Sequence, residues 1–134
     1  MGVISVNLKK IDAMKDENAK GDIEINNNVT PLGVREQDMP GIGKKGIAID
    51  FKYVSLYTMD GKEAAHIEII GDVLYIGDDC EEILKSWKEK KEIPEDPYIM
   101  IINTIFRRCA IKALVLAEDI QLPPPIGMPF AKKQ

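Results

Sequence analysis

Residues 94–130, PEDPYIMIINTIFRRCAIKALVLAEDIQLPPPIGMPF, join a broadly apolar helical pattern to a proline-rich apolar tail. No other part of the chain restricts the fold as much. An ordinary surface helix keeps one dry stripe. Here Tyr98, Ile99, Ile101, Ile102, Ile105, Phe106, Cys109, Ala110, Ala113, Leu114 and Leu116 surround most of the circumference, and Asn103, Thr104, Arg107, Arg108 and Lys112 form the polar edge. Such a helix needs cover on two sides. The protein's own sheet supplies one, and a second copy or an apolar polypeptide partner supplies the other. The expected oligomer contacts, for a homodimer or homotetramer, are Ile102, Ile105, Phe106, Arg107, Arg108 and Cys109. For the two arginines a plain solvent-facing edge is an equal reading.

A chain of 134 residues has room for one core, so a single domain is expected over 1–134. The formal charge of -4, from 18 basic and 22 acidic residues, provides no bulk attraction to nucleic acid or an anionic membrane. The start, MGVISVNLKK, alternates polar with apolar, and no run approaches the ~20 apolar residues of a membrane span. The expectation is a cytoplasmic protein without membrane insertion.

Catalytic chemistry has little to stand on. Cys80 and Cys109 each fall on an apolar helical pattern and read as reduced residues. His66 is the sole histidine, and the cysteines are not closely spaced, so neither a metal site nor any cofactor is expected. Gly41-Ile42-Gly43-Lys44-Lys45-Gly46 lacks the phosphate-loop order and precedes an alternating strand, which makes it a turn or surface loop. His66 needs an oriented carboxylate to act as a base, and Asp50, Glu68 and Asp72 are the candidates in its region. The plainer reading is an exposed residue near a hairpin turn, and the protein is expected not to be an enzyme.

The element order follows from the patterning. Ile4, Val6 and Leu8 alternate in a first strand to about Ile11, and Ile23 and Ile25 mark a second. Residues 30–46, with Pro31, Pro40 and four glycines, read as a long loop with at most a short edge strand around Leu32 to Val34. Residues 47–57 and 65–76 alternate on both sides of Asp60-Gly61 and predict a long antiparallel hairpin, with Gly71 as a candidate bend. Asp79 and Glu82 have capping-box spacing for a short helix to Lys91, with Trp87 anchoring it and lysines on its wet side. Pro97 opens the long helix, which runs to about Ala117. The proline run makes 122–130 an extended C-terminal segment lying on apolar surface.

A curved antiparallel sheet followed by a short and a long helix, with Arg107-Arg108-Cys109-Ala110-Ile111 in the long helix and Leu122-Pro123-Pro124-Pro125-Ile126-Gly127-Met128-Pro129-Phe130 after it, resembles the SecB export-chaperone fold, especially its archaeal SecB-like relatives. The resemblance extends from Ile4 to Phe130. It implies an α+β domain with a four-stranded sheet, dimers that pair into tetramers, and apolar grooves that hold unfolded, export-bound polypeptide. Bacterial members continue into an acidic tail that contacts the export motor, where this sequence has Ala131-Lys132-Lys133-Gln134.

Two functions follow. The first is a non-catalytic chaperone or peptide-binding protein for unfolded or nascent polypeptides, with Leu122, Pro124, Ile126, Met128 and Phe130 near the groove. Those residues equally suit a tail that covers its own sheet. The alternative is a structural or assembly component of a cytoplasmic protein or ribonucleoprotein complex, docked through the same tail onto one dedicated partner.

Overall fold

Alternation carries the chain through four strands, and helical periodicity begins only after Asp78-Asp79. The computed structural model describes residues 2–39, 41 and 44–127. Its elements are β1 (Gly2–Lys15), β2 (Ile23–Met39), β3 (Lys44–Met59), β4 (Lys62–Ile76), α1 (Cys80–Lys90) and α2 (Glu95–Asp119). Every strand pairing is antiparallel, in the order β1-β4-β3-β2. The architecture is the expected α+β sheet with two C-terminal helices.

The β3–β4 hairpin places Ile47 opposite Tyr75 and Tyr57 opposite Ala65. Asp60 and Gly61 turn the chain at φ 52° and 80°, the paired left-handed positions whose twist suits a two-residue hairpin. At Gly71 a side chain would run into the Asn7 carbonyl of β1 and the Phe51 ring. The irregularity expected there falls on the partner strand, where the β1 register slips between Leu8 and Lys10.

Two expectations about strands need correction. β1 runs on past Ile11 to Lys15, because its last residues keep their ladder to β4 although Asp12 and Met14 are exposed. The long loop at 30–46 is mostly strand, since β2 continues to Met39 and β3 begins at Lys44. β2 lies at the sheet edge, where only one side needs a ladder, and a register shift between Pro31 and Gly33 absorbs the proline and glycine.

The two faces of the sheet differ. Ile47, Ile49, Phe51, Tyr53, Ser55 and Tyr57 of β3 share one face with Ala65, Ile67, Ile69, Val73 and Tyr75 of β4, all buried. Ile101, Ile105, Cys109, Ala113 and Ala117 of α2 and Ile83 of α1 complete that core. The Tyr53 and Phe106 rings meet edge-on, with centroids 6.1 Å apart. Asp79 does not cap α1 through its side chain. Its carboxylate accepts the Tyr75 hydroxyl at 2.9 and 3.0 Å, tying the helix start to β4 instead.

Candidate peptide-binding site

Pro123, Pro124 and Pro125 have no backbone N–H, so this stretch is held only by side-chain packing and by donors aimed at its carbonyls. The sheet provides two. The Tyr57 hydroxyl donates to the Pro123 carbonyl at 2.6 Å, and Asn27 Nδ2 donates to the Pro125 carbonyl at 2.8 Å. Asn27 Oδ1 in turn accepts from Ser55 Oγ at 2.7 Å, and Tyr53 Oη lies 2.7 Å from that Ser55 oxygen. Burial, with a smaller contribution from Tyr53, pushes the Tyr57 phenol up to about 12. It therefore remains a neutral donor across the physiological range, and this latch does not respond to pH.

The latch fixes the orientation of the tail. Leu122 and Pro125 are buried, and the Leu122 N–H closes the end of α2 on the Ala117 carbonyl at 2.8 Å. Pro124 and Ile126 are exposed, Ile126 at 37%. Leu122 thus belongs to the core, while Pro124 and Ile126 face outward. Met128 and Phe130 lie outside the described residues.

A separate groove of about 870 Å³ opens where α1, the connection to α2 and edge strand β2 converge. Its apolar walls come from Pro31 of β2, Trp87 of α1, Ile93 and Pro94 of the connection, and Tyr98 of α2. Lys85, Lys90 and Lys91 line it together with Glu82, Glu89, Glu92 and Glu95. Lys91 folds its ammonium to 5.8 Å from the Trp87 ring centroid. Trp87 has two roles, since it packs partly on the core, as expected, and also lines the groove. Among the described residues, no tail residue belongs to this lining. Sequence reasoning missed it, although an aromatic residue on each side of the proline-bounded connection, Trp87 and Tyr98, was the available signal.

The expected interface residues divide by face. Ile102, Ile105 and Cys109 are buried in the chain's own core, and Phe106 packs against it. Arg107 and Arg108 face outward on the same side as Ile111, 61% exposed, and Val115, 49% exposed. A contact between copies through α2 would therefore use the arginines with Ile111 and Val115, because the sheet already covers Ile105 and Cys109.

The remaining candidates are structurally plain. Cys80 and Cys109 are both free and buried, and burial raises both thiols, Cys109 to about 11. Burial thus disfavours the reactive thiolate at both. Residues 44–46 of the glycine–lysine segment already belong to β3, where a phosphate loop would open a helix. His66 lies beside Asp12 and Glu68, while Asp50 and Asp72 belong to another cluster.

No family model and no curated protein matches this chain. Among solved structures, it superposes on the Mycobacterium tuberculosis SecB-like chaperone Rv1957, solved in complex with a ChAD peptide from the Rv1956 HigA1 antitoxin. The TM-score is 0.60 over 98% of this chain and 91% of that one, at 12% sequence identity. The fold is SecB-like. No helix among the described residues is long and apolar enough to cross a membrane.

Proposed function

We propose that this SecB-like protein is a non-catalytic chaperone that holds unfolded polypeptide in the groove between α1, the α1–α2 connection and β2. The carrying observation is the placement of an apolar, aromatic-walled groove of about 870 Å³ beside the edge strand. An extended client docks its backbone along such an edge and its apolar side chains on Trp87, Ile93 and Tyr98, with the mixed-charge side chains in water. That the superposed chaperone is in complex with a peptide supports the reading. The exposed Pro124 and Ile126 extend the apolar surface in a second region.

The outward stripe of α2, with Ile111 and Val115 beside Arg107 and Arg108, is the surface we assign to self-association as a dimer or tetramer. Membership of the archaeal branch rests on the Arg107–Ile111 and Leu122–Phe130 blocks of sequence. A cytoplasmic location and a role in export belong to the same proposal.

Aggregation assays with two unrelated unfolded proteins, one an export precursor and one cytoplasmic, test the function. Near-stoichiometric suppression of both is the expected outcome. If neither is suppressed and the protein instead co-purifies with one defined particle, the function is that of an assembly component.

A further inference from the structure

The open face of the sheet carries two carboxylate pairs directly opposed across neighbouring strands, Asp50 with Asp72 and Asp12 with Glu68. Like charges in that position repel. The first pair has its own cation, because Arg35 lies 2.8 Å from Asp72 and 3.4 Å from Asp50, and Lys9 adds a contact at 2.9 Å to Asp72. Among the described residues the second pair has neither lysine nor arginine. Among the described residues Lys10 and Lys52, one row further along this face, form no ion pair with Asp12 or Glu68. In place of a basic side chain stands His66, with Nε2 3.0 Å from Asp12 Oδ2.

We propose that Asp12, His66 and Glu68 bind a first-row divalent transition-metal ion, with Zn²⁺ as its representative. One ligand atom from each lies within 4.8 Å of the other two. Tetrahedral zinc ligands are about 3.4 Å apart, so rotation of the exposed Asp12 side chain closes the set. An imidazole nitrogen with two carboxylate oxygens favours zinc, cobalt or nickel over magnesium or calcium, which prefer oxygen alone. Near the second imidazole nitrogen, Glu63 Oε2 lies 3.8 Å from Nδ1, beyond hydrogen-bond distance but on the side where metal-bound histidines have an orienting carboxylate. The ion would join β1 to β4, with water in its remaining positions. The strand register assembles the ligands, two from β4 and one from β1, so no sequence spacing reveals them.

A tag-free preparation tests the proposal, with Zn²⁺ as the probe and Mg²⁺ as the control. His66 is the only histidine, so its ring proton signals report binding without overlap. Zn²⁺, and not Mg²⁺, should shift them and raise the melting temperature. Asp12→Asn and Glu68→Gln should each weaken zinc binding at least about tenfold, while Glu24→Gln should not. Glu68→Gln also gives a change of sign. Without metal it should melt at or above the parent, since one repelling charge is gone; in saturating zinc it should melt below the parent. Equal zinc responses in the parent, Asp12→Asn and Glu68→Gln would reduce the site to a lone surface imidazole and overturn the proposal. So would no shift at a tenfold excess of zinc, the same response to Mg²⁺, or a Glu68→Gln loss of stability that is the same with and without metal.

Discussion

The covered and open faces of this sheet solve the problem of polar groups in opposite ways. On the covered face a neutral hydrogen-bonded chain of Tyr53, Ser55 and Asn27 ends on the Pro125 carbonyl, and Tyr57 separately holds the Pro123 carbonyl. On the open face Asp72 is 4% exposed yet charged, surrounded by Lys9, Arg35 and Asn7. Desolvation pushes the Asp72 carboxyl up, but the bonds from Lys9 and Asn7 and the charges of Lys9 and Arg35 together outweigh it and hold the group below its ordinary 3.8. Packing and neutral bonds therefore govern one face, and charge governs the other. Mutations on the first should lower stability at every pH, and those on the second should do so in a pH-dependent way.

The hardest strike on this contrast is Ile105→Ala, which empties a fully buried site between α2 and the sheet. It should cost about 2–5 kcal/mol, read by denaturant unfolding and unchanged between pH 5 and 8. Asp72→Asn comes next, at about 1–3 kcal/mol near neutrality. A carboxyl lowered in the folded state stabilises above its unfolded value and loses that contribution as pH falls through the folded one. The parent should thus lose stability below about pH 4 by a step that Asp72→Asn lacks, visible in melting curves from pH 7 to 2. Tyr57→Phe should cost about 1 kcal/mol, and faster amide exchange at Gln121 and Leu122 should show that the tail has loosened. Tyr98→Ala, at a residue 37% exposed on the groove wall, should change stability by no more than about 0.5 kcal/mol while weakening client holding several-fold. A Tyr98→Ala protein that holds clients as well as the parent moves the site away from this groove.

What the sequence made legible followed local periodicity. The hairpin from Ile47 to Ile76 and the helix around Ile105 announce themselves, because period-two and helical patterns persist over many residues with one face buried. The second half of β2 was hidden because an edge strand needs only one ladder, so Pro31 and Gly33 fit in a segment whose composition reads as loop. Leu122 and Pro124 illustrate a different limit. The tail is buried at Leu122 and Pro125 and exposed at Pro123, Pro124 and Ile126, the three-residue repeat of a polyproline helix, and only the position of Tyr57 and Asn27 decides which side the core receives. The groove was harder still. Pro31, Trp87 and Tyr98 are far apart in the chain, and the path of β2 beside the α1–α2 connection brings them together.

Trp87 offers the most direct test of the groove as the binding site, because it is the only tryptophan and lies in the wall. Its fluorescence should be followed while the protein is titrated with a tryptophan-free unfolded polypeptide, and with the same polypeptide folded. Saturable change with the unfolded form alone, weakened several-fold by Tyr98→Ala, is the expected result. Aggregation suppression or binding by another readout with no change at Trp87 would contradict the groove as the place where unfolded chain is held.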